Sequence, residues 1–499
     1  MDTIKSIKSY TKKNWVVLAS FTFILINALL VIGSKHTLLF VLPALLLFLI
    51  VYILYPLKFY LAYLLISPLS IPLSEIYPNL PFDLWLPSEL MLVALAPVAF
   101  YMLISENFKN LWFSRHPILL MVYFFMGWLT ISTITSTIPL VSVKYLLLKA
   151  LYLLVLFYLP FVLITSNTLS FKKIFLFYAI GLLVVIAIAL TKQWESGLFN
   201  KFAAHGSCNP FFTDHTSYAA SIALLFPVSI ALTFSSKSYK PKIIFFLLAL
   251  VLLIAIILSY TRAAWLSIMV AGALWVVWLL KIRFRYIALV SLLLLGSVLH
   301  FQNDILIWLD QNKTTSSADL HKHISSIANI RTDVSNVERI NRWTSAIRMF
   351  EEKPIFGWGP GTYMFQYAPY QASYLKTSES SNLGLKGNAH SEYLGLLSEA
   401  GLPAALAFIS IIVLLLYKGF HLISKLKPKS ADRIILTGVL FGLITYVVHG
   451  ILNNFLDMDK VAVLFWGYAA QILAMDYRYS KSNPNIEISS NTSESDSRS

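Results

Sequence analysis

Charge is scarce in this chain. Only 13% of its 499 residues are Asp, Glu, Lys or Arg, against roughly 25% in a soluble domain. With 58% hydrophobic residues, that shortage excludes an ordinary soluble fold. Cysteine is nearly missing. Cys208 stands alone, which rules out an internal disulfide framework. No Asp-rich motif and no His/Cys cluster points to a metal site. No internal repeat is visible. A cleavable signal peptide is not expected, because the first apolar run is too long for an h-region and no small-residue cleavage site follows it.

What the chain has instead is apolar runs long enough to cross a hydrocarbon core. We read fourteen, at about 15–33, 37–56, 59–72, 87–104, 117–135, 145–164, 174–191, 216–234, 243–260, 263–280, 286–301, 391–417, 434–452 and 461–477. The third is the shortest. The expected fold is an all-α polytopic membrane protein with 12–14 transmembrane helices and one large outer loop. Residues 1–14 form a basic N-terminus, 15–301 the first eleven helices, 302–390 the loop, 391–477 the last three helices and 478–499 a polar tail. That tail is rich in Ser, Asn and Glu and reads as disordered.

The net charge of +15 would suit nucleic acid if it formed one patch, but it does not, and no nucleic-acid partner is expected. Lys and Arg gather in alternate short loops: Lys58, Lys172 and Lys173, Lys237 to Lys242, Lys281 to Arg285, and Lys418 to Arg433. The opposite short segments hold only Lys35, Lys144, Lys149, Lys192, Lys201, Arg262 and Lys460. The positive-inside bias therefore puts both termini in the cytoplasm and the large loop outside.

The loop carries the patterned residues. Ser335-x-x-Glu338 fits a capping box, so a helix is expected from about Asn336 to Phe350, stopping before Pro354. Ile340, Trp343 and Ile347 would give it an apolar face. Arg339 and Arg342 are three apart and project in similar directions. Gly357-Trp-Gly-Pro-Gly361 is a sharp bend in which a backbone can approach a ligand. His390 sits where the loop re-enters the membrane, with Glu392 and Glu399 following at helical spacing. Arg262, between two apolar runs, lies at membrane depth, where charged groups usually face a cavity or partner. Lys149 and His215 occupy similar outer positions. Each of these residues also has an ordinary interfacial reading. Together they are cations at one face with few acids among them, which suits a phosphate or diphosphate.

These motifs resemble the O-antigen ligase and O-antigen polymerase superfamily, which also includes bacterial O-linked oligosaccharyltransferases. The matching pieces are Tyr260-Thr-Arg262-Ala-Ala, Glu338-Arg339 with Trp343 and the Pro354–Tyr363 stretch, and His390-Ser-Glu-Tyr-Leu with Glu399-Ala-Gly-Leu402. They cover roughly residues 200–470. The resemblance implies a GT-C-type glycosyltransferase of the bacterial inner membrane that uses no cofactor. Its donor would be a glycan on undecaprenyl diphosphate, in the membrane lipid. Its acceptor would be lipid A-core in a ligase, the growing glycan in a polymerase, or a protein hydroxyl in an oligosaccharyltransferase.

By the same resemblance Arg262, Arg339 and His390 would be catalytic, with Arg342, Lys149 and His215 binding substrate. Where the family often has Asn after the histidine, this chain has Ser391. A single in-line displacement, inverting and without a metal, would follow, with arginines steadying the leaving diphosphate. A lipid-linked glycan flippase would also place charges at membrane depth. The one-sided cluster and the patterned loop favour surface chemistry over passage.

Overall fold

The structure, a computed structural model, describes residues 52–77, 83–104, 115–282, 296, 334–377, 380 and 387–482. The expected spans at 15–33 and 286–301, most of 37–56, the loop up to residue 333 and the tail from 483 lie outside these residues. The chain divides into two compact units, residues 1–63 and 64–499. Helix α1 spans Pro56–Ile66.

The expected span at 59–72 is α-helical only to Ile66 and ends in strand at Ile71–Pro72, and the remaining expected spans fall on helices. They are α2 (Ser88–Met102), α3 (Pro117–Ile134), α4 (Pro139–Thr165), α5 (Phe171–Glu195), and, after the short α6 (Lys201–Ser207), α7 (His215–Ser235), α8 (Tyr239–Leu258) and α9 (Arg262–Leu279). The loop helix is α10 (Val334–Glu352), and α11 (Glu392–Lys425), α12 (Ala431–Leu452) and α13 (Asp459–Ser482) close the chain. Among the described residues, eight helices are long and apolar enough to cross a membrane. Helices suit that task because every internal N–H and C=O is bonded within the segment. The protein is a multi-pass, all-α membrane protein. The only strands among the described residues are the two-residue pair β1 (Ile71–Pro72) and β2 (Trp85–Leu86).

Helix α13 is more polar than the eight, and it is the central post, buried along nearly its whole length. Its ends are tied by charge. Lys460 Nζ donates to Ser70 O at 2.7 Å and lies 4.0 Å from the Trp85 ring. At the other end Asp476 pairs with His116 at 3.0 Å and Lys418 at 3.6 Å. Helices α7 and α12 share the most extensive packing. Gly438 and Gly442 let their backbones meet, since a Cβ on Gly442 would stand 2.7 Å from Leu224 O, as small residues do at membrane helix interfaces.

Candidate active site

Helices α4, α7, α9, α11 and α13 all begin at one face of the bundle, and the sequence-predicted site residues lie at or near those beginnings. The loop helix α10 belongs to the same face. It forms as the sequence suggests, but two details differ. It already runs at Val334, so Ser335 lies inside it rather than at its cap. Glu338 is not free to complete a capping box, because its Oε1 accepts from Arg342 Nε at 2.7 Å and its Oε2 from Ser380 at 2.6 Å and Thr377 at 3.1 Å.

The buried face of α10 also differs from the expected one. Ile347 is exposed and Ile340 and Trp343 are only half-buried. The buried stripe is Glu338, Asn341, Arg342, Ser345, Ala346 and Met349. Polar residues hold an inner face here because each has a bonded partner. Asn341 donates to Gln371 at 3.0 Å, Tyr363 donates to Arg342 O at 2.8 Å, and the Arg342 guanidinium stacks on Tyr367 at 4.1 Å. Burial tends to raise the Glu338 carboxyl, but its bonds with Ser380 and Arg342 outweigh that and hold it below the ordinary value.

The glycine bend approaches protein. Helix α11 breaks at Gly401 (φ 78°, ψ 179°), and the bend plugs into the break. Trp358 N donates to Ser398 O at 3.1 Å, Gly359 N to Glu399 O at 2.8 Å and Leu402 N to Pro354 O at 2.9 Å. A Cβ on Gly357 would stand 2.3 Å from the Glu399 carbonyl. Glu399 then bonds the far side of the bend, accepting from Tyr363 N at 2.9 Å. From α3 and α4, Ser132 donates to Phe356 O at 2.6 Å and Ser142 to Pro360 O at 2.9 Å. The bend thus locks the loop to the bundle.

His390 sits just before this broken helix, in left-handed backbone (φ 48°). Asn388 Oδ1 accepts from its N–H at 3.0 Å, and its carbonyl accepts from Trp343 Nε1 at 3.1 Å. Ser391 caps the helix, accepting from Leu394 N at 3.4 Å. Burial, aided by the cations Arg339 and Arg342, pushes the His390 imidazole down to about 4, while Glu338 and Asp214 pull the other way. The ring is therefore neutral near pH 7, with two arginines and two carboxylates acting on it.

Asp214 links this group to α7 and α9. It caps α7, accepting from Thr216 N and Ser217 N, both at 2.8 Å. The next residue, His215, stacks its ring on His205 at 3.9 Å and accepts from Thr261 Oγ1 at 3.2 Å through its carbonyl. Thr261 precedes Arg262, the first residue of α9. His449 of α12 is a further neighbour. It is buried, its Nδ1 has no hydrogen-bond partner among the described residues, and the charges of Arg339 and Asp214 reach it.

Lys149 has a different setting. Its Nζ lies 2.7 Å from Asp457 Oδ1 and donates to Leu456 O at 2.9 Å. It lines a cavity of about 130 Å³ together with Glu392, Glu399 and Asp457. Three carboxylates therefore share the Lys149 cavity, whereas the charges of Arg339 and Arg342 act on His390.

The matched family model is described as O-antigen ligase and covers residues 245–409. No curated protein matches the chain. Residues 245–409 are thus similar to O-antigen ligases. The matched stretch runs from inside α8 to just beyond the Gly401 break. It contains Arg262, Arg339, Arg342 and His390. Lys149, Asp214, His215, His449 and Asp457 lie outside the match and reach the same face of the bundle from other helices. Sequence reasoning missed Asp214, His449 and Asp457. Asp214 carried a signal, standing just ahead of an apolar run beside Thr and Ser, as helix caps do.

Proposed function

We propose that this protein is an O-antigen ligase of the bacterial inner membrane. In this reading it transfers a glycan from undecaprenyl diphosphate to a hydroxyl of lipid A-core at the periplasmic face. The observation that carries the proposal is a neutral His390 held among Arg339 and Arg342 inside an O-antigen ligase-like domain. A neutral imidazole can accept a proton, and guanidinium groups suit a diphosphate.

The reaction is a single displacement that inverts the anomeric carbon. The acceptor oxygen bonds to that carbon as the carbon–oxygen bond to the diphosphate breaks, and the electron pair leaves with the diphosphate. The acceptor proton passes to His390. Arg339 and Arg262 steady the charge that develops on the leaving group, and no metal is required for that task. Arg342 acts mainly by placing positive charge near His390, since its Nε is engaged by Glu338 and its guanidinium stacks on Tyr367. An arriving diphosphate offsets those cations and so raises the basicity of His390 when it is needed. The His215 carbonyl holds Thr261, the residue before Arg262.

Purified protein, lipid-linked glycan and lipid A-core test the proposal directly. Arg262→Ala, Arg339→Ala and His390→Ala should each lower transfer by about 100-fold or more, the scale for losing one transition-state partner. Near-normal turnover in all three well-folded variants would sink it. A product in which the glycan is joined to another repeat unit, or to protein, would reassign the acceptor.

A further inference from the structure

The cavity beside Lys149 is built differently from the cationic group at His390. Its polar wall combines Lys149 with Asp457, Asn454 and Asn388, and Tyr145 and Trp466 supply aromatic surface. Lys149 is already neutralised by Asp457 at 2.7 Å. The Asp457 side chain is still 45% accessible, while that of Lys149 is 9% accessible. The Asn454 Oδ1 atom is buried without a hydrogen-bond partner among the described residues, an arrangement that favours a ligand bringing a donor.

These features select a ligand class. A phosphate would meet Glu392, Glu399 and Asp457 with one paired lysine to set against them. A hydroxyl-rich neutral ring suits the wall better, because each hydroxyl both donates and accepts and its C–H face packs on aromatic rings. At about 130 Å³ the cavity is smaller than the roughly 300–1,000 Å³ of drug-sized sites. It takes one sugar ring rather than a chain.

Its position is equally specific. The 387–391 segment borders both the cavity and Arg342. Asn388, Ala389 and Ser391 line the cavity, and Gly387 also touches Arg342, whose Nη1 would stand 2.1 Å from a Cβ there. His390 is flanked by Ala389 and Ser391, which both line the cavity, so a sugar hydroxyl held there lies next to the segment that carries the proposed base. We propose that the cavity formed by Asp457, Asn454, Asn388, Lys149, Tyr145 and Trp466 binds the monosaccharide of the acceptor whose hydroxyl is glycosylated. This rests on the transferase reading above.

Two measurements on the full-length purified protein test it. In transfer assays with the two substrates titrated separately, Asp457→Asn and Asn454→Ala should each raise the acceptor KM about tenfold or more. That is the scale of one lost buried hydrogen bond to a charged or orphaned group. The donor KM should move less than threefold. An acceptor KM within twofold of wild type, or a donor KM that rises instead, overturns the proposal. If Asp457→Asn fails to fold with Lys149 left unpaired, Asn454→Ala decides.

Saturation-transfer NMR with free glucose, galactose, mannose and N-acetylglucosamine needs no catalysis. At least one of them should receive signal from wild type and lose it in Asn454→Ala, and no signal from any of the four overturns the cavity assignment. A wild-type chain that forms no glycosidic bond yet gives this signal refutes the ligase reading and leaves the sugar site standing.

Discussion

Arg342 Nε lies 2.7 Å from Glu338 Oε1, one helical turn away and buried with it. Two arginines that looked equivalent in sequence are thereby separated in role. Arg342 spends its guanidinium on Glu338 and on the Tyr367 ring, while Arg339 is only half-buried on the same helix. Removing Arg342 strands a buried carboxylate. Breaking a buried pair in this way costs about 3–5 kcal/mol. Arg342→Ala should therefore lower the melting temperature strongly and reduce activity along with it. Arg339→Ala should leave melting nearly unchanged and reduce turnover. Thermal melts in detergent, run beside transfer assays, separate the two, and equal melting losses would contradict the division.

His390 gives a pH signature. Its folded-state value of about 4 lies below the ordinary 6.5. The unfolded chain therefore takes up the proton first as the pH falls. Stability is lost from about pH 6.5 downward and levels off below about 4, with an upper bound of roughly 3 kcal/mol that partial exposure of the ring reduces. Replacing His390 with Gln should remove that slope. For catalysis, the acid limb of kcat/KM should fall near pH 4, because it reports the free enzyme. The limb of kcat should lie higher, because a bound diphosphate offsets Arg339 and Arg342. A kcat/KM limb at 6.5 would show that the cations do not act on His390.

The glycine bend predicts a contrast between two glycines. Gly357 has φ +69°, and a Cβ there would press into the Glu399 backbone at 2.3 Å. Gly206, in the short helix α6, has nothing within 4 Å of such a Cβ. Gly357→Ala adds left-handed strain of about 1–3 kcal/mol to that clash and should undock the loop, seen as faster proteolysis between Lys353 and Tyr363 and loss of transfer. Gly206→Ala should be neutral, or stabilising by about 0.5–1 kcal/mol. Equal protease sensitivity in the two variants would mean that the bend does not anchor the loop.

Much of this was legible in the sequence, for physical reasons that differ by residue. Apolar runs mark spans because each helix must satisfy its backbone locally, and runs such as 174–191 and 216–234 lie within α5 and α7. The cationic neighbours of His390 were legible because Arg339 and Arg342 share a helix. The buried face of α10 was not. Apolar spacing marked Ile340, Trp343 and Ile347, whereas Glu338, Asn341 and Arg342 went inside because partners from 363–380 satisfy them. Those partners lie 21 to 42 positions along the chain, beyond the reach of any local pattern. The Lys149–Asp457 pair was out of reach for the same reason, since Asp457 is 308 positions later and meets Lys149 only in the fold.

Gly387 offers the most direct control of His390 through a residue that is not itself ionisable. Its φ of +106° is glycine territory, and a Cβ would stand 2.1 Å from Arg342 Nη1. A flexible side chain could usually swing away. Arg342 is instead pinned by Glu338 at 2.7 Å and by the Tyr367 ring at 4.1 Å. Gly387→Ala should therefore push the guanidinium off its stack and away from His390. Less positive charge near the imidazole makes protonation easier, so the acid limb of kcat/KM should move up from about 4 toward 6.5. A purely structural disturbance would lower the whole profile without moving that limb. The pH profile of Gly387→Ala, compared with that of Arg342→Lys, which keeps a cation on a side chain without the guanidinium fork, distinguishes displaced charge from simple damage.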